Sequence, residues 1–180
     1  MAKTPAFNIL TVYETLDAAL RVKEMSDRLA AELQPACKLH CDFWKFDVLT
    51  HPSFRGKALA EASAADMIII AANGDAALLE TVKAWFEGWL RKKRSGRAAL
   101  VALLDGQKTE ADETPRLCAY LQDVATRGRM DFFCQSGGWR PAELEYVVQT
   151  VHREPEPPLA VLLNEPSPRN EVAYGWGIND

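Results

Sequence analysis

The chain has 180 residues, of which 48% are hydrophobic and 26% charged, and a formal net charge of −4. Those proportions exclude a disordered or fibrous chain and allow one domain whose core needs no staples. The acidic balance speaks against broad attraction to nucleic acid or to an anionic membrane surface, both of which favour basic faces.

In chain order, Phe7 to Tyr13 is a compact apolar run rich in β-formers and predicts a buried strand. Leu16 to Leu33 predicts a helix. Its apolar residues Leu20, Met25, Leu29 and Leu33 recur at three- to five-residue steps, with Thr15 or Asp17 as the cap. Leu39 to Leu49 alternates apolar and polar residues, which predicts a strand with one wet face. A slip in that alternation at Phe43–Trp44 suggests a bulge. Pro52 sits where a first helical turn begins, so a short helix is expected over Ser53 to Ala64.

Asp66 to Ala72 is the clearest buried strand, and Asn73-Gly74-Asp75 a turn. Ala76 to Lys92 is the clearest helix, with Leu79, Val82, Trp85 or Phe86, and Trp89 on one stripe and Gly96 as the terminator. Ala98 to Leu104 is another continuous apolar strand, followed by a polar loop over 105–113. Thr114-Pro115 opens a helix carrying Leu117, Leu121 and Val124 and ending near Gly128. Met130 to Cys134 is a short strand, Ser136-Gly137-Gly138 a turn, and Pro141 starts a last helix with Leu144, Val147, Val148 and Val151.

Strand then helix, five times over, implies parallel strands joined by right-handed crossovers with helices on both faces. The expected class is α/β: a three-layer, doubly wound, five-stranded parallel sheet in the order 2-1-3-4-5, which puts the half-wet second strand at an edge. The domain is expected to span residues 1–152. Residues 153–180 differ, because REPEPP cannot continue a helix. The apolar LAVLL and YGW stretches of this tail predict that it docks on its own domain or on a second subunit.

The cysteines, Cys37, Cys41, Cys118 and Cys134, form no CxxC pair, and each lies in or beside an apolar segment. They read as buried free thiols. Cys37, His40 and Cys41 lack the second ligand pair that a structural zinc needs. The N-terminus lacks the apolar core of a signal peptide and no run reaches membrane-span length, so a cytoplasmic protein is expected. Arg91, Lys92, Lys93, Arg94 and Arg97 form a basic patch at a helix C-terminus, where cations complement the dipole.

An open doubly wound sheet binds ligands beyond the C-terminal ends of its strands, at the switch point between the first and third. That logic gathers Tyr13, Glu14, Asn73, Asp75, Asp105 and Ser136 as a candidate ligand crevice. The first loop has two carboxylates and no glycine, and neither GxGxxG nor GxxxxGK[ST] occurs in the chain. Phosphate needs free N–H groups at such a turn, so no cofactor is expected, FMN, NAD and ATP included.

The strand pattern resembles the flavodoxin-like architecture and, over roughly residues 7–152, bacterial response-regulator receiver domains. The resemblance implies an acidic pair after the first strand, a phosphorylated Asp ending the third, a hydroxyl ending the fourth and a Lys ending the fifth. Glu14 stands where one acid would be. The third strand ends in Ala71-Ala72 with Asp75 displaced, the fourth in Leu104-Asp105, and the fifth in Cys134-Gln135-Ser136. The architecture is kept and the phosphorylation chemistry is mostly missing. The expectation is a non-catalytic, degenerate receiver-like regulatory or interaction module acting as a homodimer or with a protein partner. The alternative comes from nucleoside deoxyribosyltransferases and TIR-type NAD hydrolases, which share this architecture and use a carboxylate near the sheet's C-terminal edge. On that reading Glu14 or Asp75 is a nucleophile for a glycosidic bond, oriented by Tyr13.

Overall fold

The computed structural model describes residues 3–73, 78, 80–93, 96–105, 116–136 and 148. Five strands, β1 (Ala6–Tyr13), β2 (Lys38–Lys45), β3 (Met67–Asn73), β4 (Ala99–Asp105) and β5 (Asp131–Ser136), form one sheet in the order β2-β1-β3-β4-β5. Every pairing is parallel. The helices are α1 (Leu16–Leu33), α2 (Phe46–Leu49), α3 (Pro52–Ala64), α4 (Glu80–Lys92) and α5 (Arg116–Gly128). The class and strand order agree with the alternation of apolar runs in the sequence.

The sheet separates two cores. Odd-numbered side chains of β1 and β3, among them Phe7, Ile9, Met67 and Ile69, pack with Val22, Met25 and Leu29 of α1. Even-numbered ones, Leu10, Val12, Ile68 and Ile70, pack with α3, α4 and α5. β3 and β4 are buried on both faces except at their last residues, which is why they read as solid apolar runs. Each fully buried aliphatic chain there contributes about 1.5–3 kcal/mol. Of the expected last helix only Val148 is described; it is helical, buried and packed on the α1 side. The tail 153–180 lies outside the described residues.

Several expectations need correcting. The second strand stops at Lys45; Phe46–Leu49 turns into the short helix α2. Phe46 and Leu49, three apart, both bury their side chains in that turn, while Val48 stays exposed. No bulge interrupts β2, whose pairing with β1 runs unbroken from Ala6↔Lys38 to Tyr13↔Lys45. The slip arises because both faces of the strand are covered: Leu39, Cys41 and Phe43 pack toward α1, and Trp44 toward α2 and α3. The buried stripe of α1 runs through Ala18, Val22, Met25 and Leu29, leaving Leu20 at 55% exposure. Cys134 is exposed and Cys41 half-buried; only Cys37 and Cys118 are buried thiols.

Local signals explain the helix ends. The Thr15 hydroxyl accepts the Ala18 N–H at 3.3 Å and caps α1. Pro52 occupies the first turn of α3, and His51 Nδ1 accepts the Ser53 N–H at 3.2 Å. Trp85, Phe86 and Trp89 are all buried, a stripe wider than the single alternative expected. Trp85 and Trp89 stack with centroids 6.3 Å apart at 16°, and Phe86 meets Trp85 edge-on at 5.4 Å. Gly96, past the end of α4, has φ +152, a conformation that favours glycine. Arg127 of α5 donates both Nη groups to Glu87 of α4, at 2.7 and 2.9 Å, and Nε to Asp123. This fork holds the Glu87 carboxyl below its ordinary range.

Thr11, at the centre of β1, is fully buried, and its hydroxyl has no hydrogen-bond partner among the described residues. A buried hydroxyl without a partner costs about 1–3 kcal/mol. Thr11→Val keeps the shape and removes that cost. Thermal denaturation is expected to show a melting temperature higher by roughly 2–4 °C per kcal/mol regained. A lower melting temperature would mean that the hydroxyl is bonded in solution.

Candidate functional site

Because all five strands run the same way, their C-terminal ends meet along one rim. Tyr13 and Glu14 lie there at the end of β1, Asn73 at the end of β3, Asp105 at the end of β4 and Ser136 at the end of β5. Asn73 and Asp105 are register partners, and Ser136 sits across from Leu104 on the far side of β4. Asp75 lies outside the described residues, as do Gly74 and residues 137–139.

Among the described residues, Glu14 and Asp105 both have partners within the chain. A Glu14 carboxylate oxygen accepts the Asn73 backbone N–H at 2.7 Å, and the Glu14 N–H donates to the Ala71 carbonyl at 3.0 Å. These two bonds cross-link the ends of β1 and β3 at the switch point. Asp105 forms an ion pair with Arg21 of α1 across the rim. Tyr13 is half-buried and packs with the α1-side core. Asn73 and Ser136 are exposed.

Arg21 was not anticipated as a rim residue. It lies 84 positions from Asp105, and only the packing of α1 on the sheet brings the two together. Its spacing on α1 offers no signal beyond that of any solvated cation.

Searches against protein-family models and against curated proteins find no match for this chain. Solved structures do match. An oxidoreductase from Corynebacterium diphtheriae aligns with a TM-score of 0.53 at 12% identity, covering 83% of this chain and 93% of the other. A short-chain flavodoxin associated with a non-canonical PDU bacterial microcompartment aligns at 0.55 and 10% identity, covering 82% and 99%. The fold is flavodoxin-like.

Flavodoxin-like folds that carry FMN seat its phosphate on the first turn, against free backbone N–H groups. The residues here do not fit that group. The Ala18 N–H is taken by Thr15, and the carboxylates of Glu14 and Asp17 flank the turn. Their charge opposes a phosphate.

A cavity of about 200 Å³ lies at the opposite rim, by the N-terminal ends of β3 and β4, bordered by Asp66, Trp89, Lys93 and Arg97. Its charged groups are also engaged. Asp66 accepts the Asn8 N–H at 2.8 Å, Lys93 donates to the Gly96 carbonyl, and Arg97 pairs with Asp131. Burial of Lys93 lowers its pKa from the ordinary lysine value. Among the described residues no helix is long and apolar enough to cross a membrane.

Proposed function

We propose that this flavodoxin-like chain is a non-catalytic, receiver-like interaction module that works through its surfaces, with a second copy or a protein partner. The observation that carries this reading is the Glu14 bond to the Asn73 N–H. A carboxylate that holds two strand ends together is poorly placed to attack a substrate or to accept a phosphoryl group. The exposed Leu16 and Leu20, one turn apart at the rim end of α1, support a protein contact. The apolar stretches of residues 153–180 belong to the same reading, as a segment that docks on the domain or on a partner.

Glu14→Ala and Glu14→Gln test it. If the carboxylate is structural, Glu14→Ala costs about 1 kcal/mol and Glu14→Gln, which keeps an acceptor, costs less. Thermal melts of the two variants read that order. The unmodified protein is expected to hydrolyse neither nucleosides nor NAD. Turnover that disappears in Glu14→Gln would replace this reading with the glycosidic one.

A further inference from the structure

Among the described residues, β2 is an edge strand of eight residues, paired with β1 on one side. Half of its backbone N–H and C=O groups therefore face away from the sheet, a template for another strand. Its side chains are unusually self-matched. On the α1 face stand Leu39, Cys41 and Phe43, half-buried and apolar; on the other stand Lys38, His40, Asp42 and Trp44.

A two-fold axis perpendicular to the sheet pairs β2 with a second β2 in antiparallel sense and keeps like faces together. Only registers in which residue numbers of one parity oppose each other satisfy that symmetry. One of these spans residues 38–44 with Cys41 on the axis. It opposes Leu39 with Phe43, His40 with Asp42, and Lys38 with Trp44, each pair occurring twice. Shifting the pairing by one step toward Lys45 opposes Asp42 with Asp42, a like-charge contact. Shifting it the other way opposes His40 with itself and shortens the overlap.

We infer that the β2 edge is a homodimer interface in which two copies join their sheets in the Cys41-centred register. His40 already lies 3.4 Å from Asp42 of its own chain, so the pairing creates an alternating row of four such groups. Lys38 of one copy reaches the Trp44 ring of the other, where Phe54 packs against Trp44 at 6.2 Å and is itself 45% exposed. Lys57 stands 5.9 Å from the same ring, so that ring already faces one ammonium within its own chain. This names a surface for the interaction reading above and rests on it.

The test uses the full chain. Light scattering after size exclusion is expected to give twice the 20.0 kDa chain mass. Asp42→Lys removes the carboxylate that faces His40 of the mate and should return the monomer mass, while His40→Glu with Asp42→Lys sets a carboxylate opposite an ammonium twice across the seam and should bring back the dimer. Diamide should take two electrons and two protons from a pair of Cys41 thiols to give a disulfide-linked dimer on a non-reducing gel. Burial raises the Cys41 thiol pKa, so the reaction is run at mildly alkaline pH. The link should vanish in Cys41→Ser and persist in Cys37→Ser, Cys118→Ser and Cys134→Ser. A monomeric unmodified chain overturns the inference, as when the chain's own tail covers the edge. So does a dimer that survives Asp42→Lys without a Cys41 link, although the broader interaction reading then stands. Circular dichroism of each variant separates lost pairing from lost folding, and the rescue pair makes the same distinction.

Discussion

Trp85→Ala is expected to lower the melting temperature by roughly 6–20 °C. Its indole is completely buried in the core on the α3, α4 and α5 side of the sheet, stacked on Trp89 and edge-on to Phe86. Truncating such a ring removes its apolar burial and leaves a void that close-packed neighbours refill only in part, at about 3–5 kcal/mol. For a chain of this size each kcal/mol moves the midpoint by roughly 2–4 °C. The unsatisfied Trp85 Nε1 slightly reduces the loss, because removing the ring also removes an indole N–H with no partner among the described residues. A differential scanning calorimetry shift below about 3 °C would show that this face of the sheet repacks freely.

Phe7→Ala examines the other core. Phe7 is 2% exposed on the α1 side at the start of β1, in register with Leu39 of the edge strand. The expected cost is again about 3–5 kcal/mol. The two substitutions lie on opposite faces of the sheet, and sites without shared partners add. The double variant should therefore lose the sum, or fail to fold if the sum exceeds the total stability, which for a domain is about 5–15 kcal/mol. Urea titration measures all three. A double variant no worse than Trp85→Ala alone would mean that the two cores unfold separately.

The parts of this fold legible in the sequence are those where burial is two-sided. Met67–Ala72 and Ala99–Leu104 carry no polar residue, so no helical or half-wet pattern competes with the strand reading. The end of β2 was illegible for the opposite reason. Phe46 and Val48 fit a strand's alternation as well as Phe46 and Leu49 fit a helical turn, and only the packing of Leu49 into the core separates the two. Leu20 misled because α1 has smaller residues, Ala18, Ala19 and Val22, on its true inner face.

At the rim, strand direction alone brought Tyr13, Glu14, Asn73, Asp105 and Ser136 to one edge. The state of those groups was hidden, since Glu14 finds its donor 59 residues away and Asp105 its cation 84 away. Partnerships at such separation leave no local trace.

The central position of β1 has a consequence for how the chain assembles. The first strand in sequence ends between two later ones, and β3, which leaves the ribosome after β2, pairs with its other side. A nascent chain that has released β1, α1 and β2 thus holds an oily, unzipped flank until the segment after Ala64 emerges. That interval is when strand exchange between neighbouring nascent chains competes with correct closure. Every contact across the sheet is non-local, so the finished domain should fold slowly for its size.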